Sequence, residues 1–158
     1  MNTSMFRPLV VVAISSLLTV GCTANKPKQV ATFDTSETFQ ASKDEVWGKL
    51  VRFMSTNQLG ISTIEKDSGL LVINNQNVAQ NLLSSYCDSG SAVPFLWVPV
   101  GGKVSGNVTV VEDEGFSTAS INISFNQVSE FCYQGCKYTT KQCQSLGSFE
   151  KALLSSLR

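Results

Sequence analysis

From residue 46 onward, apolar side chains recur at helical spacing: Val46, Leu50, Phe53 and Met54, with Trp47 beside them. Positions three and four apart form one stripe on a helix, so this run predicts a helix with one buried side. Ser42-Lys43-Asp44-Glu45 fits a capping box, with Ser42 as N-cap and Glu45 three residues on. Asn57 to Gly60 supplies stop signals, which places the helix over 43–57. The period then changes to two. Residues 61–66 and 70–74 alternate around Lys66-Asp67-Ser68-Gly69, predicting a hairpin whose turn ends in glycine. Residues 104–111 and 116–128 predict two more strands, joined by Glu112-Asp113-Glu114-Gly115. In the second, Ala119, Ile121, Ile123 and Phe125 face one way, and Ser120, Asn122, Ser124 and Asn126 face the other. One side of the sheet is therefore buried and the other wet, as in antiparallel sheets covered on one face. Residues 31–40 carry a weaker strand pattern, with Phe33 and Phe39 on one face. Helical spacing returns in Leu146, Phe149, Leu153 and Leu157, with Ser145 or Ser148 as the cap.

Two amphipathic helices need an apolar partner, and the sheet offers one apolar face. The economical solution is an α+β domain of two layers, an antiparallel sheet with two helices packed on one face, in the order β-α-β-β-β-β-α. Residues 75–103 are left as a long connection, and such loops are often functional. Within it, residues 77–86 suit a short helix leading to Cys87. Its second half, Ala92-Val93-Pro94-Phe95-Leu96-Trp97-Val98-Pro99-Val100, is apolar and punctuated by prolines. One reading makes it a buried strand or core plug. The other makes Phe95, Leu96, Trp97 and Val98 an exposed lip that grips a protein partner, a peptide or lipid, since exposed apolar patches mark binding sites.

The amino-terminal residues carry a different signal. Residues 1–7 hold one basic side chain, Arg7, and residues 9–20 are uncharged and mostly apolar. Gly21 and Cys22 end the run. A basic start, an apolar stretch too short to cross a bilayer comfortably, and a small residue before the cut make a signal peptide. Leu18-Thr19-Val20-Gly21-Cys22 resembles the bacterial lipobox, although Thr19 stands where leucine is usual. The resemblance implies cleavage before Cys22 and lipid on that cysteine, with two or three acyl chains making release from the membrane very slow. Thr23, where an Asp would favour inner-membrane retention, implies sorting to the outer membrane in a Gram-negative host, and the expected orientation is toward the periplasm. The expected organisation is a signal peptide over 1–21, a lipidated polar tether over 22–32, and a single disulfide-bonded domain over 33–158.

Setting Cys22 aside leaves four cysteines, Cys87, Cys132, Cys136 and Cys143. An even number in an exported chain suggests two disulfides, with three possible pairings. The favoured pairs are Cys132–Cys136, pinning a turn at Tyr133-Gln134-Gly135, and Cys87–Cys143, tying mid-chain to the start of the last helix. Loop-closure entropy gives ~4 kcal/mol for the long link and ~2 kcal/mol for the short one. Zinc is the competing idea for the clustered cysteines, but C-x3-C-x6-C lacks the paired C-x2-C spacing, and the chain has no histidine. No metal or other cofactor is expected.

Lys and Arg total 12, as do Asp and Glu. Without residues 1–21 the balance becomes 11 basic against 12 acidic, which gives no basic surplus for nucleic acid. The missing histidine removes the commonest general base, so an enzyme is not expected. Glu65 and Asp67, or Glu112, Asp113 and Glu114, could be read as acid–base groups, but turns explain both sets. No G-x-S-x-G is present, and Gly101-Gly102-Lys103 is too short for a phosphate loop.

One resemblance bears on fold. Phe39-Gln40-Ala41-Ser42, then Val46-Trp47, then Asp67-Ser68-Gly69-Leu70-Leu71 resemble the repeated unit of BamC-type outer-membrane lipoproteins. The resemblance implies a helix-grip fold and an accessory role in the envelope. The expected function is thus a non-catalytic outer-membrane lipoprotein acting as an accessory or adaptor subunit for a protein partner. The alternatives are a binding module for a hydrophobic small molecule, lipid or glycan fragment, and a periplasmic enzyme inhibitor.

Overall fold

The capping signal at Ser42 is realised directly. Its hydroxyl accepts from the Glu45 amide at 3.3 Å, and the helix it starts, α1, runs Lys43–Thr56. Glu112 adds a second cap from a distant strand, its carboxylate accepting from the Lys43 amide at 2.8 Å. A carboxylate there also meets the positive end of the helix dipole. Glu45 turns instead to Lys49, one turn on, at 3.0 Å. Val46, Trp47, Leu50 and Met54 are buried, most of the stripe read from the sequence, while Phe53 of that stripe is only partly buried.

The structure is a computed structural model that describes residues 32–90 and 96–158. Around α1 the elements are β1 (Ser36–Phe39), β2 (Thr63–Glu65), β3 (Leu70–Val78), α2 (Gln80–Tyr86), β4 (Cys87–Asp88), β5 (Val98–Asp113), β6 (Phe116–Cys132), β7 (Cys136–Ser145) and α3 (Ser148–Leu157). The class is α+β, with a seven-stranded sheet in the order β2-β3-β5-β6-β7-β4, and with β1 paired to β6. Every strand pair is antiparallel.

Several expectations need correction. There are three helices among the described residues, not two, because α2 forms where a short helix was only suggested. Most of the expected 75–103 connection is ordered structure: β3 continues to Val78, and β5 starts at Val98 rather than Val104. Cys143 lies in β7, a strand absent from the expected order, and not at the start of the last helix. Leu146 is 46% exposed and outside the α3 stripe, where Leu154 joins Phe149, Leu153 and Leu157 instead. Neither Ser145 nor Ser148 caps α3 with its side chain; the N-cap is Gly147. Ser145 accepts from the Gly147 amide and donates to the Glu150 carboxylate, which is nearly fully buried. Ser148 donates to the Ser85 carbonyl and so ties α3 to α2.

Turn chemistry sets the registers. Asp113 pairs with Phe116, so the β5–β6 turn is the two residues Glu114-Gly115, both with positive φ, as a type I′ hairpin demands. Gly69 closes the β2–β3 turn at φ 72°, and a Cβ there would lie 2.0 Å from the Val110 carbonyl. Only glycine allows that approach, and the Gly69 carbonyl in turn accepts from the Val110 amide at 2.8 Å.

A single apolar cluster joins all three helices to the sheet. Val46, Leu50 and Met54 of α1, Leu83 of α2 and Phe149, Leu153 and Leu157 of α3 meet Leu71, Ile73, Val104, Val108, Ile121 and Phe125. Phe125, Phe149 and Tyr86 form an edge-on and tilted aromatic group with centroids 5.4–5.9 Å apart. Cys87 and Cys143 sit in this cluster and are bonded to each other; Cys132 is bonded to Cys136. The pairing is the favoured one. Beyond α3, Arg158 holds Glu37 of β1 through two guanidinium nitrogens. That hydrogen bond, and then the charge of Glu37, raise the Arg158 pKa above its ordinary value.

Candidate functional site

The core parity of β6 runs from Ser117 to Ser129 in odd-numbered residues, so the even-numbered side chains form the opposite face. Register places Thr118, Ser120, Asn122, Ser124 and Asn126 there, beside Thr109, Asn107, Ser105 and Lys103 of β5. Ser36 and Thr38 of β1, and Gln142 and Thr140 of β7, extend the same surface. Lys103 is the only ionisable side chain among these thirteen. Many of the groups are already paired. Ser36 meets Ser120 and Thr38 meets Thr118, each hydroxyl pair at 2.9 Å, and Ser124 donates to the Ser105 carbonyl. This is a broad hydroxyl and amide wall, almost without charge across β1, β5 and β6; Val111 opposite Thr118, and Leu70 and Val72 of β3, add apolar side chains, and Glu65 of β2 puts an acid at its edge.

A second surface is the ribbon where β5, β6 and β7 run beyond the helices. Val98 lies opposite Glu130, and Glu130 opposite Tyr138, so Val98 and Tyr138 share the outward face. On the other face the Trp97 ring rests on Phe131, centroids 5.9 Å apart. Leu96, Val98 and Tyr138 are about 60% exposed, and Tyr133 in the terminal turn is 73% exposed. A register shift between Pro99 and Gly101 bulges Val100 out of the ladder, and that side chain is exposed too. The Cys132–Cys136 bond closes the ribbon's end.

These residues include most of the sequence-predicted partner site. Leu96 and Val98 are exposed, and Trp97 is partly buried against Phe131. Phe95 lies outside the described residues, as does Cys22. Tyr133, Tyr138 and Phe131 were not read from the sequence as part of this surface. Their link to Leu96–Val98 is made by strand pairing across more than thirty residues, which no local pattern reveals.

The candidate acid–base groups do structural work. Glu112 caps α1, Asp67 accepts from the Lys43 ammonium through its carbonyl, and Glu65 receives the Ser68 hydroxyl. Glu130, Cys132 and Cys136 approach one another within 4.8 Å, but both sulfurs are in a disulfide and lack the thiolate a metal needs. The clefts are open to solvent. A cleft of about 370 Å³ between α1 and α3 is lined by Lys49, Arg52, Phe53, Thr56, Asn57 and Ser156, while Val46, Leu50 and Met54 beneath α1 are fully buried. A cleft of about 290 Å³ lies beside α2, lined by Gln80, Leu83, Ser84 and Gln127 among others. The buried Gln80 Oε1 has no donor among the described residues, and Gln127 donates to Ser129 at 3.2 Å.

No protein-family model matches this chain, and no curated protein matches it significantly.

Proposed function

We propose that this chain is a non-catalytic envelope lipoprotein that serves as an adaptor for a protein partner. Lipid on Cys22 would hold it to the outer membrane, facing the periplasm, and the hydroxyl and amide wall of the sheet would take the partner. The observation that carries this reading is the near-absence of charge across that wall. Surfaces exposed only to water normally mix both signs of charge, whereas the centres of protein interfaces are depleted of it. Four of the wall's hydroxyls are paired with each other and Ser124 bonds a backbone carbonyl, which lowers the cost of covering them, while the amides of Asn107, Asn122, Asn126 and Gln142 are placed to bond the partner.

A photo-crosslinking residue at Asn122, in the middle of the wall, tests the reading in the intact envelope. It should capture a defined protein, and Asn107→Glu, opposite it in register, should weaken capture at least tenfold. Capture that ignores Asn107→Glu would sink the proposal. Cys22→Ser should move the protein from the membrane fraction to the soluble fraction; persistence in membranes would refute the lipid anchor.

A second reading, a small polar ligand such as a glycan fragment, is favoured by the Gln80 carbonyl oxygen beside Gln127. A buried acceptor without a donor is costly, and a ligand hydroxyl would satisfy it. Titration with N-acetylglucosamine oligomers should then shift the Gln80 and Gln127 side-chain amide resonances; unmoved resonances would remove this reading.

A further inference from the structure

A soluble domain has a simple use for a sheet with one apolar face, but not for a ribbon that exposes apolar side chains on both. The outward face of the β5–β6–β7 ribbon carries Val98 and Tyr138 with Glu130 between them, and the reverse carries Trp97 on Phe131 beside Lys137. Leu96 and Tyr133 add apolar surface at the ends of its strands, 62% and 73% exposed. A flat partner docked on one face would leave the other wet. Covering both faces calls for a medium that surrounds the ribbon.

We infer that this ribbon is a second membrane contact, inserting its end into the headgroup region of a phospholipid bilayer. The side chains fit that medium. Trp and Tyr favour the interface because each joins an apolar ring to a polar edge. Lys137 and Lys141 stand on β7 against the single acid Glu130, so the ribbon's net charge suits anionic headgroups. The depth is shallow, because an open sheet edge cannot enter the hydrocarbon core with its backbone groups unpaired. β7 has such an edge, paired beyond β6 only where β4 meets Gln144 and Ser145. The Cys132–Cys136 bond holds the hairpin closed, so little order is lost on insertion. This contact requires neither lipid on Cys22 nor the protein partner proposed above. Beside a lipid tether it would fix which way the sheet wall faces.

The test uses residues 23–158, exported so that both disulfides form; among the described residues the buried apolar cluster lies within Phe39 to Leu157, all inside this part. The probe is sedimentation with vesicles of phosphatidylethanolamine and phosphatidylglycerol, compared with phosphatidylcholine alone. Binding is expected to both, roughly fivefold tighter to the anionic vesicles for one net positive charge. Brominated lipid should quench Trp97 and spare Trp47, which is buried under α1, and Trp97→Phe should abolish the quenching. Leu96→Ser with Val98→Ser should lower partitioning at least tenfold, since each removes a side chain worth about a factor of ten when buried. Both positions are exposed, so unchanged thermal unfolding of the double variant is the control for folding. Absence of vesicle binding overturns the inference, as does binding that survives the double substitution or leaves Trp97 unquenched. If vesicles are ignored but the double variant loses a protein crosslink placed at Tyr138, the ribbon's occupant is a protein groove and the bilayer contact is wrong.

Discussion

The two disulfides offer the sharpest test of the fold, because they differ in reach by more than tenfold. Cys87 and Cys143 are 56 positions apart; Cys132 and Cys136 are four apart. A crosslink restricts the unfolded chain in proportion to the logarithm of the loop it closes. The long link should therefore stabilise by roughly 4 kcal/mol and the short one by roughly 2 kcal/mol. Location widens the gap. Cys87 and Cys143 are both 5% exposed and sit in the apolar cluster, so replacing them with Ala also removes packed sulfur. Cys132 and Cys136 are exposed at the end of the ribbon, where removing sulfur creates no cavity. Urea unfolding of the double variants C87A/C143A and C132A/C136A, followed by circular dichroism, measures both losses against the parent. The first variant should lose at least 2 kcal/mol more than the second. Local opening should follow the same geography. Only two residues of β4 pair with β7, so without the long link α2 and β4 are held chiefly by Leu83 and by the Leu146 amide on the Tyr86 carbonyl. Amide exchange at Leu82 and Leu83 should accelerate in the first variant and stay near parental in the second. Equal losses in the two variants, or a larger loss from the short link, would refute the reasoning.

Three further substitutions probe the core and its turns. Leu50→Ala empties a fully buried position between α1 and the sheet and should cost 2–5 kcal/mol, read as a fall in Tm by calorimetry. Gly69→Ala places a methyl against the Val110 carbonyl at positive φ, so it should destabilise by more than about 1 kcal/mol in urea unfolding, whereas Ala at the open, helical Gly48 should stabilise slightly. Ser145→Ala leaves the buried Glu150 carboxylate without its hydroxyl donor and should cost about 1–3 kcal/mol by the same assay, while Ser148→Ala should cost less because that hydroxyl is exposed.

The parts of the fold legible in the sequence are those written in local periodicity and caps. The α1 stripe and its Ser42 cap, the Gly69 turn, and the odd-numbered face of β6 needed no information beyond neighbouring residues. The class followed from them. Distance in the chain hid the rest. Glu112 reads locally as one more turn acid, yet it caps a helix that begins 69 positions earlier. The odd face of β6 continues as Gln127 and Ser129, both at least 95% buried, but polar side chains give no sign of burial until their mutual hydrogen bond is seen. Of the predicted partner residues, Leu96 and Val98 lie where an exposed lip requires, while Trp97 splits the difference by resting on Phe131.

β7 shows most clearly why a strand can be silent. Cys136-Lys137-Tyr138-Thr139-Thr140-Lys141-Gln142-Cys143 has no apolar alternation, because exposure over most of its length places no demand on its side chains. Its pairing is imposed from outside. The disulfide at one end fixes Cys132 opposite Cys136, and the one at the other end holds Cys143 in the core opposite Phe125. Between those pins, eight residues of β6 face eight of β7 with no register shift. Side chains freed from folding are available for another purpose, and in this strand they are Lys137 and Tyr138, while Lys141 donates to the Ser89 carbonyl. An exposed tyrosine with lysines on the opposite face, on a ribbon that exposes apolar side chains on both faces, is hard to explain by folding alone. It is for this reason that the membrane inference rests on the strand whose sequence says least about structure.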